Sequence, residues 1–190
     1  MLKTKIAVFV SGGGTNFEAL INAQENGKIP HGEIVLMVSS SRTAYALKRA
    51  ENHGIKSVVC SKKELGSQEK FEEEILKNLE ENDIQLIVLA VFMSILSNEF
   101  TKKYENRIIN IHPSLIPSFC GEGFYGLHVH EAALKKGVKV TGATVHIVNE
   151  IPDGGPIIMQ KAVYIEENDT PEILQKRVME QAEWKILPES

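Results

Sequence analysis

The sequence predicts an α/β fold, a mostly parallel sheet with helices on both faces, and three observations carry that prediction. A short β-rich apolar run, Lys5 to Val10, leads into Ser11-Gly12-Gly13-Gly14-Thr15-Asn16 and then into a helical pattern through Phe17, Leu20 and Ile21 to Gly27. Strand-like and helix-like stretches then alternate, as βαβ units require. The run Ile84 to Ala90 is nearly all apolar, the mark of a central parallel strand buried on both sides.

The first unit is strand, glycine loop, helix start. Glycines let backbone N–H groups approach a ligand closely, and the first helical turn offers unpaired N–H groups and the positive end of a dipole. A phosphate fits that description. The loop lacks the lysine of a P-loop and the spacing of a dinucleotide site, so a tight turn with Thr15 or Asn16 as helix cap remains the alternative.

Ile34 to Val38 reads as a second strand, Thr43 to His53 as a helix, and Gly54 to Val59 as a turn and third strand. His31 and His53 lie among polar turn residues and are expected at the surface. Lys62 to Asn82 reads as one helix whose buried stripe is Phe71, Ile75 and Leu79. Its acidic run Glu72-Glu73-Glu74 is expected to be a solvated face.

Ligands of open α/β sheets bind beyond the carboxyl ends of the strands, which is where Val91 to Ser97 follows the fourth strand. Phe92 and Met93 could line a slot for a flat ring or pack in the core, and Ser97 can cap a helix through Phe100 and Tyr104. Next, Ile108 to Phe119 reads IINIHPSLIPSF. Two prolines stop regular structure after the strand, and alternation puts Asn110 and His112 on one face of it.

A glycine-rich loop, Cys120 to Gly126, precedes a helix from Leu127 to Lys136. His128 and His130 have no Cys or carboxylate beside them at ligand spacing, so packing of one and a hydrogen bond from the other to the nearby loop is expected rather than a metal. Val140 to Val148 alternates with Thr144, His146 and Val148 on one face. Asn149 to Pro156 forms a turn containing Asp153, Pro156 to Tyr164 is the last strand, and Asp169-Thr170-Pro171-Glu172 starts a final helix running toward Trp184 and Leu187.

With 190 residues, one core is enough and about 70% of the unfolded surface can be buried. The two cysteines fit neither a zinc spacing nor a disulfide framework, which suggests a reduced, cytoplasmic setting. No apolar stretch approaches a membrane span, and no leader with a cleavage site opens the chain. The formal charge is −4, with 21 basic residues scattered among 25 acidic ones, so neither a nucleic acid nor a membrane is an expected partner.

Asn110, His112 and Asp153 are the residue types that amide-forming acyl transfer needs without a covalent intermediate: an amide donor for the oxyanion, an imidazole, and a carboxylate that holds the imidazole charged and relays the amine proton. Spacing alone does not bring Asp153 to His112. A serine-hydrolase reading is weaker, since no GxSxG elbow is present and Ser114 follows its strand.

The chain resembles the folate-dependent glycinamide ribonucleotide formyltransferases of purine synthesis. The segments that carry the resemblance are SGGGTN (11 to 16), LAVFMSILS (89 to 97), NIHPSLIPSF (110 to 119), GLHVHEAAL (126 to 134) and TGATVHIVNEIPDGGPII (141 to 158), together with the final helix. The resemblance implies a three-layer αβα fold with a mostly parallel seven-stranded sheet, one strand near 140 to 148 running against the others, and a Rossmann-like N-terminal half. It implies one formyltransferase domain over residues 1–190, with 1–100 the mononucleotide and phosphate half and 101–190 the catalytic and folate half.

By the same resemblance, the activity is transfer of the formyl group of 10-formyltetrahydrofolate to the amine of glycinamide ribonucleotide, without a metal, by a monomer or homodimer. Asn110, His112 and Asp153 match the catalytic trio. Gly13, Gly14, Thr15, Asn16 and Glu183 match the phosphate and ribose contacts, and Phe92, Met93, Ser94, Ile95, Leu96, Val148, Asn149 and Glu150 the folate contacts. Where the family commonly has a glycine before Phe92 and an arginine after Met93, this chain has Val91 and Ser94. A formyltetrahydrofolate deformylase-like hydrolase and a non-catalytic Rossmann-type nucleotide-binding module are the alternatives.

Overall fold

A computed structural model describes residues 2–190. Seven strands form one sheet in the order β3-β2-β1-β4-β5-β6-β7, with β1 at Thr4–Val10, β2 at Gly32–Ser39, β3 at Lys56–Val59, β4 at Leu86–Leu89, β5 at Ile108–His112, β6 at Val140–Ile147 and β7 at Ile157–Tyr164. The pairs β1–β2, β1–β4 and β2–β3 are parallel, whereas β6 and β7 are antiparallel. The expected mixed α/β sheet is present. The chain falls into two compact units, Met1–Ile109 and Asn110–Ser190.

In the first unit, helices α1 (Thr15–Glu25), α2 (Ala46–Asn52), α3 (Lys62–Leu65), α4 (Gln68–Glu81) and α5 (Asn98–Lys103) alternate with the strands. β1 is buried from Ile6 to Val10, and Phe9, Phe17, Phe71, Ile87 and Phe100 are among its unit's fully or almost fully buried side chains. Each such side chain contributes roughly 1.5–3 kcal/mol relative to exposure. The single helix expected over Lys62 to Asn82 is two. Gly66 ends α3 in a left-handed conformation (φ 82°), and Ser67 starts α4 by accepting a hydrogen bond from the Lys70 N–H.

The acidic run is also not wholly solvated. Glu72 is 9% exposed, because it lies on the same helical face as Ile75 and Leu79. Its carboxylate accepts from the Ser97 N–H (2.6 Å), the Ser97 hydroxyl (2.6 Å) and Gln68 Nε2 (2.5 Å). The Ser97 hydroxyl in turn accepts from the Phe100 N–H and caps α5, as its position predicts.

In the second unit, α6 (Leu127–Lys136) packs against α7 (Pro171–Val178), which continues through a π-helical turn, Met179–Glu183, into α8 (Trp184–Glu189). Val129, Ala133, Val145, Val163, Leu174 and Val178 are buried there. Thr170 caps α7 by accepting from the Ile173 N–H, with Pro171 at its first position. No helix among the described residues is long and apolar enough to cross a membrane.

Candidate functional site

In the second unit, four polar side chains converge. Alternation along β5 sends Asn110 and His112 from the same face, and alternation along β6 buries Thr144 and His146. Asp153 stands on the turn after β6 in a left-handed conformation (φ 54°), which Asp tolerates better than most residues. Its Oδ1 lies 3.4 Å from Asn110 Nδ2 and 3.4 Å from His146 Nε2; its Oδ2 accepts from the Gly121 N–H (2.8 Å) and lies 3.5 Å from His112 Nδ1. The three residues expected to work together do meet. His146 joins them, a residue the sequence reading placed on one face of its strand with Thr144 and Val148 but gave no role.

Hydrogen-bond partners assign the tautomers. His112 Nε2 is 2.8 Å from the Phe119 carbonyl, which can only accept, so Nε2 carries the hydrogen and Nδ1 faces Asp153. His146 Nδ1 is 2.9 Å from the Ile147 carbonyl, so its Nε2 accepts from Asn110 Nδ2 at 3.1 Å in the neutral form. Two imidazole nitrogens that carry no hydrogen in the neutral rings therefore flank one carboxylate, that of His146 already engaged by Asn110. A proton arriving on either ring makes an ion pair with Asp153.

Burial lowers the His112 pKa from its ordinary value, and the Asp153 charge opposes this without overcoming it. Asp153 thus favours the charged imidazole, while burial favours the neutral one more strongly. Burial also pushes Asp153 upward, but the hydrogen bond that His146 donates once protonated, the charge of a protonated His112 and the Gly121 N–H together hold it below the usual carboxylate range. Both N–H groups of Asn110 are engaged, at 3.1 Å and 3.4 Å.

The segment after β5 is fixed from β6 and β7. Thr144 Oγ1 donates to the Ser114 carbonyl (2.7 Å) and accepts from the Ile116 N–H (3.1 Å) and Gln160 Nε2 (3.0 Å). Ser114 is buried and donates to the Ser118 carbonyl. Gly155 is required by close approach: an added Cβ would stand 1.8 Å from the Ile147 carbonyl oxygen. Val148 and Asn149 are half-buried and Glu150 is exposed in the turn between these strands.

His128 and His130 share no site. His128 is exposed and bonded to Glu131 on its own helix (2.9 Å), not to the loop as expected, although its ring lies edge-on to Tyr125 of that loop. His130 is fully buried, and neither ring nitrogen has a hydrogen-bond partner. No group of three His, Cys, Asp or Glu side chains among the described residues could hold a metal ion, and both cysteines are free. Glu183 is buried in the π-helical turn.

In the first unit, Gly14 is the N-cap of α1, so neither Thr15 nor Asn16 stands at the cap position expected of it. Gly14 has φ 71°, and an added Cβ would meet Ala46 Cβ at 2.8 Å. Gly12 and Gly13 are exposed; Gly14 and Asn16 are buried. Beneath the loop, Arg49 donates to the Gly13 carbonyl (2.8 Å) and to Glu18 (2.9 Å), with its guanidinium over the Tyr45 ring. His53 is not a free surface residue. It bridges Glu25 (3.0 Å) and Glu18 (3.2 Å), and the Glu25 hydrogen bond leads in raising its pKa.

Along Val91 to Ser97 the side chains alternate. Phe92 packs against Phe9 and Phe71, and Ser94 and Leu96 are half-buried, while Met93 (50%) and Ile95 (81%) face outward. The backbone of this segment is tied to both of its flanks. Met93 N–H donates to Ser11 Oγ (2.7 Å) at one end, and Gln68 Nε2 donates to the Ile95 carbonyl (3.0 Å) toward the other.

Residues 4–190 match the formyl transferase family. The chain is 46% identical over 186 residues to the trifunctional purine biosynthetic protein adenosine-3 of Gallus gallus, covering 98% of this chain and 18% of that protein. It thus spans less than a fifth of that relative's length. It is 38% identical to the phosphoribosylglycinamide formyltransferase of Haemophilus influenzae, covering 97% of this chain and 84% of that one. Among solved structures, glycinamide ribonucleotide transformylase 1 from Symbiobacterium toebii superposes with a TM-score of 0.91 at 36% identity, covering 98% of this chain and 85% of that chain.

Proposed function

This chain belongs to the formyl transferase family, and from that premise we propose that it transfers the formyl group of 10-formyltetrahydrofolate to the amine of glycinamide ribonucleotide in purine (IMP) biosynthesis. The observation that carries the proposal is the convergence of Asn110, His112 and His146 on the Asp153 carboxylate. That is an arrangement able to stabilise an oxyanion and to move one proton.

The amine nitrogen attacks the formyl carbon, forming the C–N bond as the carbonyl π electrons move to oxygen. Asn110 Nδ2 donates to the oxyanion, giving up its longer bond to Asp153. Asp153 takes the amine proton, directly or through water, and stands beside the Nδ1 of His112, where that proton can rest. Collapse of the intermediate breaks the bond to N10 of the folate. The departing nitrogen takes up the proton, leaving tetrahydrofolate and the formylated amine.

The remaining assignments follow the family's pattern. The backbone N–H groups at Gly13 and Gly14, with Thr15 and Asn16 at the start of α1, bind the nucleotide phosphate, and Glu183 the ribose. Phe92 to Leu96 and Val148 to Glu150 take the folate. Residues 1–190 act as a single formyltransferase domain, the first half supplying the phosphate loop and the second the catalytic groups, in a cytoplasmic monomer or homodimer.

Absorbance during incubation with 10-formyltetrahydrofolate tests this reading. Tetrahydrofolate should form only when glycinamide ribonucleotide is present. Formation at the same rate without the nucleotide would favour a hydrolase, and no formation despite binding of both would leave a nucleotide-binding module.

A further inference from the structure

We propose that Ser11 is a positioning residue that couples the nucleotide's anchor to the folate's, so that each substrate tightens the binding of the other. The proposal rests on the substrate assignments just made. Ser11 lies between the end of β1 and the three glycines. Its hydroxyl oxygen accepts from the Met93 N–H (2.7 Å) and from the Ser40 hydroxyl (2.6 Å), and its own N–H donates to the Val91 carbonyl (3.1 Å). One residue therefore holds the start of the glycine loop and the start of the Val91 to Ser97 segment together.

Val91 shows that these bonds constrain the backbone. It has φ 62°, a left-handed conformation that a β-branched residue rarely adopts, and its side chain is 44% exposed rather than buried in the core. The conformation is held instead by the bond from Ser11 N–H to the Val91 carbonyl and by the Met93 N–H bond two residues on. Toward the far end, Gln68 and Glu72 fix Ile95 and Ser97. The segment is thus tied to Ser11 at one end and to Gln68 and Glu72 toward the other.

The glycine loop is likewise supported at every residue but its exposed face. The Ser40 N–H donates to the Val10 carbonyl (3.2 Å), the Ala46 N–H to the Gly12 carbonyl (3.2 Å) and Arg49 to the Gly13 carbonyl (2.8 Å). Its neighbour across Ser11 is the 91–93 backbone. A phosphate that orders the loop orders Ser11, and Ser11 orders Met93. The second substrate then meets a segment already in place.

The test is calorimetric titration of tetrahydrofolate into the full chain, with and without saturating glycinamide ribonucleotide; tetrahydrofolate carries no formyl group, so nothing reacts. In the wild type the nucleotide should tighten tetrahydrofolate binding at least about fivefold, with the reciprocal titration giving the same factor. In Ser11→Ala both ligands should still bind singly, but the factor should fall to within about twofold of one. Ser11→Thr, which keeps the hydroxyl, and Ser40→Ala, which leaves the Met93 bond, should both retain it. A wild-type factor of one, or a factor unchanged in Ser11→Ala, overturns the coupling. Failure of either ligand to bind the wild type at all overturns the substrate assignments beneath it.

Discussion

The Nδ1 atom of His112 faces Oδ2 of Asp153 across 3.5 Å, with the ring's other nitrogen committed to the Phe119 carbonyl. Proton exchange on this imidazole therefore takes place on the side of the carboxylate. Burial makes that proton harder to hold, and Asp153 makes it easier. Followed by NMR, the His112 ring should titrate below 6.5 in the free protein, and Asp153→Asn should move it lower still. Titration above 6.5, or no movement in the variant, would remove the pairing from the mechanism.

His130 makes stability depend on pH. Burial, with a smaller contribution from the His112 charge, lowers its pKa to about 4. Between pH 6.5 and 4 the unfolded chain binds this proton and the folded chain does not, so stability is full above 6.5 and is lost as pH falls toward 4. The loss attributable to this ring is about 3 kcal/mol. Urea unfolding from pH 7.5 to 4.5 should show the decline in the wild type and a flatter curve in His130→Phe. Equal slopes would mean that His130 is not the group responsible.

Thr144 holds the chain that leaves β5. Thr144→Val is nearly isosteric, but it strands the Ser114 carbonyl and the Ile116 N–H, which the hydroxyl serves in a buried position. Losing such partners costs about 1–3 kcal/mol for each unsatisfied group. The urea midpoint should fall accordingly, and kcat with it, because the same segment carries the Phe119 carbonyl that orients His112. A change below about 0.5 kcal/mol would show that the segment is held by other means.

Local pattern made much of this legible. Alternation alone put Asn110 and His112 on one face, and a strand followed by glycines marked the start of α1. Asp153 could not be placed that way, because its contact with Asn110 spans 43 residues and depends on a left-handed turn. His146 went without a role although its face of the strand was read, since alternation alone does not tell a histidine that packs from one that assists. Glu72 was read as solvated from the charge of its neighbours. The helical period of Glu72, Ile75 and Leu79 was the better guide.

The most direct measurement is the fate of the formyl carbon. With 13C-labelled 10-formyltetrahydrofolate and glycinamide ribonucleotide, the account predicts that the label appears in an amide of the ribonucleotide, one per tetrahydrofolate released, and that His112→Asn slows this by orders of magnitude while both ligands still bind. Label recovered as free formate, or a near-normal rate in His112→Asn, would contradict it.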